Sequence, residues 1–184
     1  MTADPDEALA RRAAAGDEPA FGQLMRRHKE GLYRFLRRLT GDPEEAHDLL
    51  QDSFVAIWRN LGRYDPQRPF LPWAQRIALN KVRDAARRRA VRRLLLGPSR
   101  DAETLQVADT AALPDVEVAD RQDLARLNRA IADLPLALSA PLVLTAMEGL
   151  SQAEAGARLG ISAKAVETKV ARARRQLSAI LNRF

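Results

Sequence analysis

Apolar residues recur at helical spacing almost throughout the chain, and no run alternates apolar with polar residues in the two-residue rhythm of a half-buried strand. The pattern predicts an all-α protein. Asp17-Glu18-Pro19 opens a first helix whose Phe21, Leu24, Met25, Leu32, Phe35, Leu36 and Leu39 share an inward face, and Thr40-Gly41-Asp42-Pro43 stops it. Asp42 then caps a second helix, Pro43 to about Asn60, in which Ala46, Leu49, Leu50, Phe54, Ile57 and Trp58 form a broad apolar band, continued by Leu61. Three prolines between Gly62 and Pro72 predict a loop. A third helix, about Leu71 to Arg89, buries Trp73, Ile77, Ala78, Val82 and Ala85 and runs into the arginines Arg87 to Arg89, Arg92 and Arg93. These helices make one small domain.

Periodicity fades from Leu94 to Val118, where Gly97-Pro98-Ser99 and Leu113-Pro114 interrupt the chain and Asp101, Glu103, Asp109, Asp115 and Glu117 turn it acidic. This segment is expected to be a flexible linker, over 94–119, with an acidic strap along a basic partner as the sharper alternative. Helical spacing resumes at about Asp120 with Leu124, Leu127, Ile131 and Leu134, and Pro135 closes that helix. Pro141 fits the first turn of a helix running to Glu148 and stopped by Gly149. Ser151 and Glu154 form a capping box for a short helix, Gln152 to Leu159, that Gly160 ends. Ser162 caps the last helix, with Val166, Val170, Ala173 and Leu177 on one stripe and Lys164, Lys169, Arg172, Arg174 and Arg175 around it. The expected architecture is therefore two small helical domains joined by a linker.

The segment Ser151 to Leu177 reads as a helix-turn-helix, in which Gly156 lets two helices approach and Ile161 with Val166 plugs the angle between them. Charge agrees with a polyanionic partner: 30 Lys and Arg against 24 Asp and Glu leave a net +6. With no cysteine, disulfides, thiol nucleophiles and cysteine zinc sites are excluded, and His28 and His47 are read as surface or half-buried helical positions rather than ligands. No cofactor or small-molecule substrate is expected. The N-terminal residues MTADPDEALARR lack the basic then apolar order of a signal peptide, and no stretch reaches the roughly 18 apolar residues of a spanning helix, so cytoplasmic residence without membrane insertion is expected.

Three segments resemble the extracytoplasmic-function (ECF) group of bacterial sigma factors. LPLALSAPLVLTAMEGLSQAEAGARLGISAKAVETKVARARRQL is similar to their minus-35-reading domain, DPEEAHDLLQDSFVAIWRNLGRYDP to the segment gripping the clamp of the largest polymerase subunit, and FLPWAQRIALNKVRDAARRR to their minus-10-reading segment. The resemblance implies a sigma region 2 domain over 1–93 and a region 4 domain over 120–184. It also implies core RNA polymerase (clamp and flap), promoter DNA and an anti-sigma factor as partners, and promoter recognition and melting without catalysis of its own. Asp48, Leu49, Gln51 and Asp52 are then expected to bind core polymerase, as an acidic edge suited to an Arg-lined helix. Asn80 is expected to hold a flipped minus-10 base, with Arg76, Lys81, Arg83, Arg87 and Arg88 on phosphates and residues 63–72 shaping the pocket. A buried, structural Asn80 is the plainer reading. Phe70 and Trp73 are read as packing under that loop in preference to stacking on bases. In the last helix Lys164, Glu167, Thr168, Lys169, Arg172 and Arg175 are expected to face DNA, with Arg172 as base reader. Glu167 stands where many relatives carry Lys or Arg, and Gly156 where Ala is commoner, at a helix-propensity cost of about 0.5 to 1 kcal/mol. The rival reading is a stand-alone helix-turn-helix regulator with an N-terminal sensor, against which the acidic edge and arginine run argue; an enzyme is not expected, since no phosphate loop or nucleophile motif stands out.

Overall fold

The computed structural model describes residues 4–96 and 118–182, so most of the predicted linker, with its acidic residues, lies outside the described residues. Within them the chain forms helices α1 (Asp6–Ala14), α2 (Glu18–Thr40), α3 (Pro43–Asn60), α4 (Phe70–Leu96), α5 (Val118–Ala132), α6 (Leu136–Leu142), α7 (Gln152–Leu159) and α8 (Ala163–Leu181). Four of the predicted starts have their physical cause in place. Asp17 accepts from the Ala20 amide at 3.0 Å to cap α2, and Asp42 accepts from the amides of Glu44 and Glu45 at 2.8 and 3.1 Å to cap α3. Ser151 and Glu154 make both halves of the capping box on α7, and Ser162 accepts from the Ala165 amide on α8.

Met25, expected on the inward face of α2, is exposed, and the helices themselves depart from the expectation in three places. Helix α1 was unforeseen because its inward positions are Leu9, Ala10 and Ala13, and alanine carries almost no hydrophobic signal. Its acidic first turn (Asp6, Glu7) and basic last turn (Arg11, Arg12), which complement the helix dipole, were the available clue. Helix α4 continues past Arg89 to Leu96, and Arg89 itself is tied back to α3 by an ion pair with Glu45. Pro141 does not open a helix; it sits inside α6, which starts at Leu136 behind Pro135 and gives way to a π-helical turn over Val143–Met147. There the Thr145 hydroxyl donates to the Pro141 carbonyl at 2.9 Å, satisfying an acceptor that the widened turn releases.

Helices α1 to α4 enclose Leu24, Leu32, Phe35, Leu36, Ile57 and Leu79, all nearly or wholly inaccessible, and α5 to α8 close over Ile131, Val143, Leu144, Val166 and Ala173. The two buried sets join into one apolar cluster. At their junction Gly41, left-handed at φ 73° to end α2, lies so close to α5 that a Cβ there would stand 2.5 Å from the Ala132 Cβ. A polar seam accompanies this contact. Arg38 donates to Glu148 at 2.8 Å, Gln75 donates to the other Glu148 oxygen at 3.5 Å, and Arg158 donates to Gln75. Gln75 is 3% exposed, so this seam satisfies an amide that burial would otherwise penalise, and burial lowers the pKa of Arg158.

Candidate nucleic-acid interface

On α3, Asp48, Gln51 and Asp52 fall at helical spacings of three and four and are exposed together. With Glu45 they line a shallow groove whose opposite wall is Ala85 and Arg88 of α4. Leu49, grouped with them from the sequence, is 3% exposed and packs into the core; it fixes the edge from beneath while the three polar side chains face outward.

On α4, Arg76, Asn80, Arg83 and Arg87 recur every three or four residues, and all are exposed. Asn80 is not buried, so the structural reading of this residue fails. Its amide oxygen accepts from Arg83 at 3.1 Å, which leaves the NH₂ group turned out as a donor, and Arg87 pairs with Asp84 at 3.0 Å. Lys81 and Arg88 do not join this stripe: helical geometry sets them roughly 120° round α4, Lys81 half-buried and Arg88 in the groove with the acidic edge.

The loop before α4 is clasped by Tyr64, whose hydroxyl donates to the Arg68 carbonyl, while Asp65 accepts from the Gln67 amide at 3.0 Å. Phe70 is 1% exposed and meets Tyr64 and Trp73 at ring-centroid distances of 5.7 and 5.8 Å, so it packs under the loop as expected; Trp73 is half-buried. Tyr64 went unnoticed in the sequence. Its signal was an aromatic residue beside Asp65-Pro66 in an otherwise polar loop.

In the helix-turn-helix, a Cβ on Gly156 would lie 2.6 Å from the Ile161 carbonyl oxygen. In this chain the alanine that helix propensity alone would favour would therefore require the turn backbone to shift. On α8, Thr168, Arg172, Arg175, Gln176 and Ala179 line one shallow trough. Lys164 pairs with Glu167 at 2.8 Å, muting that carboxylate's repulsion of phosphate, and the Thr168 hydroxyl is spent on the Lys164 carbonyl at 2.9 Å. Lys169 is half-buried, off the trough.

Comparison with known proteins decides what these surfaces belong to. The Sigma-70 region 2 model matches residues 24–92, and the Sigma-70 region 4 model matches residues 124–177. The RNA polymerase sigma factor NccH of Alcaligenes xylosoxydans xylosoxydans is 44% identical over 176 residues, covering 96% of this chain and 94% of that protein. The ECF RNA polymerase sigma factor SigE of Mycolicibacterium smegmatis is 34% identical over 167 residues, 89% of this chain and 63% of its relative. The chain belongs to the ECF sigma factors. A structure of the sigma factor CnrH in complex with the cytosolic domain of CnrY superposes with a TM-score of 0.68 at 38% identity, covering 97% of this chain and 98% of that one. As an ECF sigma factor the protein binds core RNA polymerase and promoter DNA and acts in transcription initiation. The match to region 2 removes the rival reading of the N-terminal half as a ligand sensor. Among the described residues no helix of this sigma factor is long and apolar enough to cross a membrane.

Proposed function

We propose a division of labour among three surfaces of this sigma factor. Asp48, Gln51 and Asp52 grip the clamp of the largest polymerase subunit; Asn80, with Arg76, Arg83, Arg87 and residues 63–72, captures the melted minus-10 strand. Arg172, with Lys164, Thr168 and Arg175 beside it, reads the minus-35 duplex. The region 2 domain is assigned to 1–93 and the region 4 domain, which also meets the flap, to 120–184, with 94–119 between them. The observation that carries this reading is the segregation of charge: an exposed acidic edge on α3 and an exposed basic stripe on α4 lie on one small domain, which suits a protein partner on one side and a nucleic acid on the other. The protein adds no catalysis of its own and works in the cytoplasm, where polymerase and promoters meet. The likeness to a CnrH chain solved with a protein bound supports a dedicated inhibitor, which the family resemblance identifies as an anti-sigma factor. Run-off transcription with core polymerase on a promoter library tests the reading: promoter-selective transcripts are expected, and duplex binding without transcripts would reject it.

A further inference from the structure

Helix α1 packs against the turn Leu61–Arg63 and the start of α4, and a histidine of α2 links its first turn to Phe70 at the exit of the loop of residues 63–72. Asp6, in the first turn of α1, accepts from two neighbours on α2: Arg27 at 2.8 Å on one oxygen and His28 Nε2 at 2.6 Å on the other. The two partners differ in burial. The His28 side chain is 13% exposed against 31% for Arg27, and the imidazole lies on the ring of Phe70 at a centroid distance of 5.4 Å. Phe70, at the exit of the loop, in turn backs Tyr64, whose hydroxyl closes the loop on Arg68. Burial first, then the nearby charges of Glu7, Asp6 and Asp65, pushes the Tyr64 phenol up to about 12.

We propose that Asp6 and His28 are positioning residues for capture of the minus-10 strand: the carboxylate fixes the imidazole, the imidazole backs Phe70, and Phe70 sets the clasped loop. The physical need is preorganisation. An unpaired base pays for its own extrusion, and a loop that must also order itself on binding returns less of that cost. The inference rests on the reading of residues 63–72 as the base pocket.

The test uses the full chain with core polymerase, and reads permanganate reactivity of unpaired minus-10 thymines together with discrimination between a preferred single-stranded minus-10 oligonucleotide and its single-base variants. Asp6→Ala should reduce opening and discrimination about tenfold, the scale of one lost partly buried hydrogen bond, with core affinity within about twofold. Asp6→Asn, which keeps an oxygen for His28, should recover most of both. Arg27→Ala breaks the parallel tie of α1 to α2 and should leave both readouts near wild type. Equal losses from Arg27→Ala and Asp6→Ala would make α1 a general brace and overturn the inference, as would wild-type discrimination in Asp6→Ala. Asn80→Ala separates the two levels of the argument. Normal opening in both Asn80→Ala and Asp6→Ala would remove the pocket and the inference with it, whereas impaired opening in Asn80→Ala beside normal opening in Asp6→Ala would remove the inference alone.

Discussion

The arginines of α4 and those of α8 serve one chemistry from different starting points. On α4 two guanidiniums of the outer stripe are already held, Arg83 by Asn80 and Arg87 by Asp84, and the loop beside them is braced by aromatic packing. On α8, among the described residues, Arg172 and Arg175 pair with nothing, and only the leading Lys164 is engaged, by Glu167. A rigid duplex supplies its own geometry, so cations on a straight helix can stay uncommitted until they meet it. A single strand has no fixed shape, and a surface that captures it gains by being ordered beforehand.

The largest expected effect lies off both basic surfaces. Reversing Asp48 and Asp52 to Lys turns an acidic edge against a basic partner and should weaken core binding by about 3 kcal/mol or more, with helicity and minus-35 duplex binding retained. Unchanged affinity in a core-binding titration would detach this edge from the polymerase. Next comes Arg172→Ala, expected to cost about 1 to 3 kcal/mol and to relax preference at one or two base pairs. Binding of the chain to single-base variants of a minus-35 duplex measures this, and a uniform loss across all of them would show Arg172 to be a phosphate contact instead.

Much of this was legible in the sequence because it is written in strong local signals. Asp17, Asp42, Ser151 and Ser162 cap where capping chemistry demands, and Leu24, Leu36, Ile57 and Val166 are buried where their period places them. What stayed hidden depended on contacts distant in sequence or on residues with weak signals: the Asp6–His28 pair, the Glu148 seam, Pro141 tolerated inside α6, and a helix α1 lined by alanines. Gly156 shows the limit clearly. Propensity reads it as a small local loss, while the nearby Ile161 carbonyl sets a steric cost on any added Cβ. Gly156→Ala should therefore destabilise by about 1 to 2 kcal/mol, an overpacking cost partly offset by propensity. Gly31→Ala on α2, where a Cβ meets nothing within 4 Å, should stabilise by about 0.5 to 1 kcal/mol. Urea unfolding of the two variants checks the opposite signs, and two shifts in the same direction would refute the steric argument.

The smallest effect addresses the contrast between α4 and α8 most directly. A cation that binds phosphate releases counterions, so removing one such contact lowers the slope of log affinity against log salt by about one. Arg175, uncommitted on α8, should show this full change for duplex binding when replaced by Ala. Arg87 already has Asp84 beside it, both side chains well exposed, and the carboxylate displaces part of the ion atmosphere before DNA arrives. Its removal should lower the slope for single-strand binding by clearly less than the roughly 0.7 per contact that a free cation gives on single strands. Asp84→Asn should then restore the missing part, raising the salt slope of the otherwise unaltered chain. Salt titrations of the assembled holoenzyme on a melted minus-10 strand measure both variants; if Arg87→Ala takes away the full single-strand value and Asp84→Asn changes nothing, the α4 pair is energetically idle, and the two helices hold their cations alike.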